Sequence, residues 1–176
     1  MEEEIKKEKP VTLKKYLAGF SKEQLIGQIL ELSKKFKNVK SYYDFSINPD
    51  VSQQTEKVKA IILQCFFPSR GYKLRLKDAR KAVNDFKKLS PDEESLIDTM
   101  IYYVECGVRF TNDFGDIDEP FYNSVAGMFR QAGALYIHIA KNKEFHDRAE
   151  KIMNDTSGIG WGFHDELADI YYNHFK

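Results

Sequence analysis

Apolar residues recur at helical spacing along most of the chain, and no stretch of useful length alternates between apolar and polar residues. This pattern predicts an all-α protein. The predicted helices span residues 13–18, 21–37, 40–47, 51–67, 76–89, 91–114, 121–140, 144–154 and 164–175. The spacing of their start signals indicates antiparallel helical hairpins that stack into a compact array or a short superhelix.

Several predicted helices begin with residues that satisfy the free N–H groups of a first turn. Ser21 and Gln24 match a capping box, in which each side chain accepts a hydrogen bond from the backbone N–H of the other residue. Ser90 followed by Pro91, with acidic residues behind them, predicts a helix with Ser90 as its N-cap. Asp118 is the expected N-cap of the helix after that.

The helix that follows Pro91 is apolar on most of its circumference, which predicts a central helix packed on several sides. The polar strip that remains consists of Asp98, Tyr102, Glu105 and Arg109. The next helix has Gly127 and Gly133 in its interior. Because an interior glycine costs about 1 kcal/mol relative to alanine, both positions predict the close approach of another backbone.

The composition, with 42% hydrophobic and 14% aromatic residues in a chain of 176, is typical of one globular domain. We expect residues 1–10 to form a charged flexible tail and residues 11–176 to form a single domain. The start of the sequence has no secretory signal, and no run reaches the roughly 18 apolar residues of a membrane-spanning helix, so no membrane association is expected. Cys65 and Cys106 lie in apolar segments and indicate buried, reduced thiols of a cytoplasmic protein.

Charge is distributed unevenly although the net charge is zero. Residues 1–89 hold 20 Lys/Arg against 11 Asp/Glu, a net charge of +9, and residues 90–176 hold 7 against 16, a net charge of −9. The halves either complement each other within the fold or meet in a head-to-tail homodimer.

The loop of residues 157–163 contains three glycines and interrupts the series of helices. A phosphate-binding loop is the functional interpretation, but the sequence has neither the preceding strand nor the Lys-Ser/Thr ending that such a loop needs. We expect instead that the glycines allow a tight turn, which places Trp161 and Phe163 against the core.

Acidic residues and a histidine open the last helix. Asp165 and Asp169 share a face, and together with His164 they resemble a metal-binding set. No metal-binding motif supports this interpretation, and acids in a first turn are explained by the helix dipole. The acidic loop of residues 112–119 likewise lacks the order of a calcium loop. The sequence predicts no metal and no cofactor.

Glu105 and Arg109 are four residues apart in the favourable orientation, which predicts an intrahelical ion pair. The alternative is that they line a pocket together with Tyr102 and Asp113.

The basic segment of residues 70–88 mixes cations with an aromatic residue, as nucleic-acid-binding surfaces do. The candidate surface cations are Arg70, Lys73, Lys77, Arg80 and Lys81. A solvated helix face is the alternative interpretation.

Three segments carry a resemblance to a known family: residues 13–17 (Leu-Lys-Lys-Tyr-Leu), residues 102–116 and residues 156–165. With them the chain resembles a family of small bacterial proteins known only as a domain of unknown function. The resemblance covers nearly the whole chain after the tail, and residues 156–165 are its most specific part. It implies a bacterial cytosolic origin, and it supplies no activity, ligand or catalytic residue.

The leading functional hypothesis is a non-enzymatic protein-interaction module, which binds its partner through the basic N-terminal half or a groove near Trp161. One alternative is a small-molecule or metal-dependent enzyme with a pocket near residues 157–163. Its candidate residues are Glu105, Arg109, Asp113, His164 and Asp165. The other alternative is nucleic-acid binding through residues 70–88.

Overall fold

The computed structural model describes residues 12–71, 73–89 and 91–176, which hold nine α-helices and no strand. In chain order the helices are α1 (Leu13–Leu17), α2 (Lys22–Lys35), α3 (Lys37–Ile47), α4 (Val51–Phe66), α5 (Leu76–Lys87), α6 (Glu93–Phe114), α7 (Glu119–Tyr136), α8 (Lys143–Asp155) and α9 (Phe163–His174). The prediction of an all-α protein is confirmed, whereas the stacking of hairpins stays a prediction. None of the described helices is long and apolar enough to cross a membrane.

Contacts group the chain into two units, Met1–Ile47 and Asn48–Lys176. The first unit is described from residue 12 onward, so the predicted tail of residues 1–10 lies outside the described residues. The single domain predicted over residues 11–176 stays a prediction.

The first unit contains α1, α2 and α3, of which α2 and α3 pack against each other. The predicted capping box is formed at the start of α2: the backbone N–H of Gln24 donates to Ser21 Oγ at 3.2 Å, and the N–H of Ser21 donates to Gln24 Oε1 at 2.8 Å. None of residues 12–47 is buried. The apolar side chains of this unit therefore have no core of their own.

The second unit is built around α6, which packs against α4, α5, α7 and α8. Of its 22 residues, 12 are buried, so the prediction of a central helix is confirmed. Aromatic contacts connect the layers: the rings of Phe66 and Tyr103 lie 5.2 Å apart between α4 and α6. Between α7 and the residue that caps α9, the rings of Phe129 and Phe175 stack at 5.0 Å.

The start of α6 differs from the prediction. Asp92, not Ser90, is the N-cap, because its carboxylate oxygen Oδ1 accepts a hydrogen bond from the backbone N–H of Ser95 at 2.8 Å. Ser90 lies outside the described residues. The predicted cap of α7 is confirmed, since Asp118 Oδ1 accepts from the N–H of Phe121 at 2.9 Å.

The two glycines expected to allow a close approach behave differently. At Gly133 an added Cβ would lie 2.7 Å from Cβ of His174 in α9, so another helix does approach closely, although the nearest atoms belong to a side chain and not to the backbone. At Gly127 an added Cβ would meet nothing within 4 Å, so that prediction is wrong. The other tight contact is at Gly107, where a Cβ would lie 2.6 Å from Cγ2 of Val125. Gly107 therefore sets the spacing between α6 and α7 at this point.

Candidate interaction surface

The loop of residues 157–162 holds Trp161 in an unusual backbone conformation. The N–H of Phe163 donates to the carbonyl of Gly160 at 3.1 Å and closes a turn. Both central residues of this turn have positive φ, 62° at Trp161 and 70° at Gly162. Glycine and asparagine are the usual residues for such a turn. A tryptophan in the left-handed region costs roughly 1–2 kcal/mol relative to the right-handed one.

This turn separates the two aromatic side chains that the sequence predicted to be buried together. Phe163 is 1% exposed, and its ring lies 4.6 Å from the ring of Tyr122. Trp161 is 72% exposed. The expectation that Trp161 packs against the core is therefore wrong, because positive φ at the first central position of the turn directs this side chain into solvent.

Hydrogen bonds fix the entrance of the loop. The buried Thr156 donates through Oγ1 to the carbonyl of Met153 at 2.7 Å. The same oxygen lies 3.1 Å from Nδ1 of His164. Since the single hydroxyl proton is already donated, Nδ1 of His164 has to be the donor in the second bond. Asn112 of α6 adds a bond from Nδ2 to the carbonyl of Asp155 at 3.1 Å. His164 thus has a structural task in holding the loop.

Acidic residues at the start of α9 directly follow this loop in the sequence. Asp165 and Glu166 lie in the first turn of α9, and Glu166 accepts from Nη2 of Arg130 at 2.6 Å. Within the described ranges, no three His, Cys, Asp or Glu side chains lie where they could share a metal ion. His164, Asp165 and Asp169 are accordingly not brought together as a ligand set.

The predicted pair of Glu105 and Arg109 is not formed. The carboxylate of Glu105 instead accepts two hydrogen bonds from Arg148 of α8, from Nε at 2.7 Å and from Nη2 at 2.9 Å. Nη1 of Arg148 donates to Asp98 at 2.6 Å. Arg109 turns toward Asp113, with 3.4 Å from Nε to Oδ2. The prediction is wrong because a partner distant in sequence offers bidentate geometry that an intrahelical neighbour does not.

Arg148 is the centre of this ion-pair cluster. Its side chain is 19% exposed, and Asp98 also binds Nζ of Lys59 at 2.6 Å. Burial alone would lower the pKa of Arg148, but the hydrogen bonds that Arg148 donates to Glu105 and Asp98, together with the attraction of these two carboxylates, outweigh burial and the net pKa is raised. The cluster therefore ties α4, α6 and α8 together with paired charges, which is a structural arrangement.

A cleft of about 350 Å³ lies between α6 and α8. Its lining residues are Glu105, Val108, Arg109, Asn112, Arg148, Lys151, Ile152 and Asp155. The charged groups inside are already paired, since Lys151 binds Asp155 and Arg148 binds Glu105. The lining includes two of the five candidate residues of the enzyme hypothesis but not Asp113, His164 or Asp165. That hypothesis stays a prediction.

The predicted basic surface is exposed, on the loop before α5 and on α5 itself. Its five cations are Arg70, Lys73, Lys77, Arg80 and Lys81. Lys81 pairs with Asp85, and both line a cleft of about 590 Å³ between α4 and α5. This surface therefore mixes both signs of charge. Its aromatic residue, Tyr72, lies outside the described residues, and nucleic-acid binding stays a prediction.

The two predicted thiols are buried and free. Burial raises the pKa of the Cys65 thiol and raises that of Cys106 to about 12. A thiol with such a pKa stays protonated at neutral pH and is a poor nucleophile. Neither cysteine is therefore a candidate catalytic group.

A comparison with protein families finds a match, described as "Family of unknown function (DUF6155)", over residues 9–176. The resemblance carried by residues 13–17, 102–116 and 156–165 is thereby confirmed, while a bacterial origin stays a prediction. Neither the curated proteins nor the solved structures contain a match to the chain.

Proposed function

Since the chain belongs to this family of unknown function along residues 9–176, its role has to be argued from its own surface, and we propose that it is a non-enzymatic protein-interaction module that presents Trp161 to a protein partner. One observation supports this proposal above the others. The largest side chain type in proteins is 72% exposed on a turn whose backbone disfavours it. Strained residues persist where function retains them, and tryptophan is the residue type most enriched in interaction hot spots.

The loop that carries Trp161 is fixed before any partner binds. The contact between Thr156 and His164 joins its two ends, and the buried ring of Phe163 anchors the end at α9. A side chain presented from a fixed loop loses little conformational entropy on binding, which favours affinity. The net charge of −9 over residues 90–176, from 16 Asp/Glu against 7 Lys/Arg, favours a partner with an apolar pocket and a rim of Lys or Arg.

The first step of the test uses Trp161 as its own reporter, since it is the single tryptophan of the chain. The free protein should show the fluorescence of a solvated indole and should be quenched readily by acrylamide. Partners captured from a lysate at low salt are then purified and titrated. Binding of the partner should shift the emission to the blue and should protect Trp161 from the quencher.

The matched variants are Trp161→Asn and Tyr172→Asn. Asparagine tolerates positive φ, so the first variant keeps the turn, and the second removes an aromatic side chain that is also exposed, in α9. Trp161→Asn should weaken binding at least about 30-fold, the effect of a hot spot worth 2 kcal/mol or more. Tyr172→Asn should leave binding unchanged. Equal affinity of both variants, or unaltered quenching in the complex, would remove Trp161 from the proposal.

We also infer a cytosolic location. Two free, buried cysteines support it, because reduced thiols are typical of proteins in a reducing compartment.

A further inference from the structure

Helix α2 exposes a continuous apolar face. Its members lie within about half of the helix circumference, and each is at least 37% exposed: Ile26, Ile29, Leu30, Leu32 and Phe36, the last being the C-cap residue. We call these five residues the α2 face. The opposite side of α2 carries Glu31 and Lys35. An amphipathic helix of this kind needs a cover for its apolar face.

The unit that contains α2 does not provide this cover. None of residues 12–47 is buried, although α2 and α3 are in contact. This unit has 47 residues, which is close to the size of about 40 residues below which folded units usually depend on disulfides, metals or oligomerisation. No cysteine occurs in residues 1–47, so a cross-link within this unit is not available. Oligomerisation is therefore the cover that fits its size and composition.

The charges of α2 indicate which molecule fits the face. Glu23 lies in its first turn, and Lys34 lies in its last turn. Eleven positions separate them, which is three turns at about 3.6 residues per turn, so both side chains lie on the same flank beside the apolar face. When two copies of a helix pack antiparallel, equal flanks face each other. Glu23 of one copy then meets Lys34 of the other, and the pairing occurs twice.

The register of this pairing is set by the same residues. The midpoint between Glu23 and Lys34 falls between Gln28 and Ile29, so Ile29 of one copy lies beside Ile29 of the other at the two-fold axis. The apolar face of each copy then covers the apolar face of the other along its length. A parallel arrangement would place acid beside acid at one end and base beside base at the other, and it would align the helix dipoles unfavourably.

From this geometry we propose that the α2 face is a self-association surface, on which α2 of a second copy packs antiparallel with Ile29 at the two-fold axis. The contact is isologous and closes as a dimer. It differs from the head-to-tail contact expected from the charge asymmetry of residues 1–89 and 90–176. It is also independent of the proposed role of Trp161, which uses another surface.

Sedimentation equilibrium of the full chain tests the proposal over a range of protein concentrations. The wild-type chain should be a dimer, and Ile29→Asp should be a monomer, because it places two carboxylates together at the axis. Trp161→Asn is the control and should remain a dimer. Far-UV circular dichroism checks that each variant keeps its helices. A wild-type chain that is monomeric at about 100 μM would overturn the proposal, as would an Ile29→Asp dimer.

Charge reversals test the antiparallel register. Glu23→Lys and Lys34→Glu should each weaken the dimer about tenfold, because each replaces two attractive pairs by two repulsive ones and an exposed pair is worth roughly 0.2–1 kcal/mol. The double reversal should restore the dimer. A mixture of the two single variants should form a heterodimer in preference to either homodimer. If the double reversal dimerised less well than both single variants, the register would be wrong.

Anionic lipid vesicles are the alternative occupant of an exposed amphipathic helix. Under the proposal, vesicles of phosphatidylglycerol and phosphatidylcholine should not bind the wild-type dimer in physiological salt. If they bound a monomeric chain, and Ile29→Asp abolished that binding, the α2 face would be a membrane surface and self-association would be excluded.

Discussion

Alanine substitutions at two glycines of the paired helices α6 and α7 should change stability by clearly different amounts. At Gly127 an added Cβ meets nothing within 4 Å, so Gly127→Ala should gain the helix propensity of alanine, about 1 kcal/mol. At Gly107 the Cβ would lie 2.6 Å from Cγ2 of Val125. Overpacking of this kind costs roughly 1–3 kcal/mol, which offsets or exceeds the same gain in propensity.

The difference in the free energy of unfolding between Gly107→Ala and Gly127→Ala isolates the cost of overpacking at Gly107. We expect Gly127→Ala to be more stable than the wild type and Gly107→Ala to be about 1–3 kcal/mol less stable than Gly127→Ala. Urea unfolding followed by far-UV circular dichroism gives both values, provided that the dependence on urea has the same slope in each variant. In thermal unfolding, 1 kcal/mol corresponds to a shift of about 2–4 °C for a chain of this size.

A second substitution identifies the contact responsible. Val125→Ala removes the methyl groups that the new Cβ would meet, so Gly107→Ala and Val125→Ala should compensate each other by about 1 kcal/mol or more in a double-mutant cycle. If Gly107→Ala stabilised the chain as much as Gly127→Ala does, α6 and α7 would not approach each other through Gly107, and the reasoning would be refuted.

Two further predictions concern buried polar groups. Arg148→Met should lower the free energy of unfolding by about 2–4 kcal/mol, because Glu105 and Asp98 then lose their shared cation. Lys151→Met is the control: it removes an exposed ion pair and should cost less than about 1 kcal/mol in the same urea assay. Burial raises the pKa of Cys106 to about 12. The protonated thiol therefore makes its full contribution to the free energy of unfolding below the pKa of an unfolded cysteine, and this contribution is lost as the pH rises toward 12. Cys106→Ala should flatten this alkaline decline, and rapid reaction of Cys106 with a thiol reagent in the folded chain at pH 8 would contradict the predicted protection.

Much of the second unit could be predicted from local sequence. The apolar periodicity of α6 identified a central helix because a face that is apolar on most sides has to be covered on most sides. The start of the same helix was misplaced at Ser90, since Ser90 and Asp92 are both good N-cap residues two positions apart. Local preference does not decide between them, and the hydrogen bond from the N–H of Ser95 to Asp92 does.

The ion-pair cluster could not be predicted in the same way. Arg109 is a sufficient partner for Glu105 within one helix, and nothing nearby in the sequence points to Arg148, which follows Glu105 by 43 positions. Pairing across helices depends on how α6 and α8 pack, which periodicity does not specify. The exposure of Trp161 was missed for a different reason. Size and polarity predict a buried side chain, but its position between Gly160 and Gly162 was the available sign of positive φ.

Apolar periodicity is informative about the α2 face only in part. It predicts that this face needs a cover, but it does not predict which molecule supplies the cover. The charges of α2 add that information, but they also stabilise the helix itself: Glu23 lies near its positive end and Lys34 near its negative end. The double reversal of these charges separates the two effects. It opposes the helix dipole at both ends, so helicity should stay equal or fall, while the antiparallel pairs are restored. A dimer that recovers without any gain in helicity can therefore owe its recovery only to contacts between the two copies.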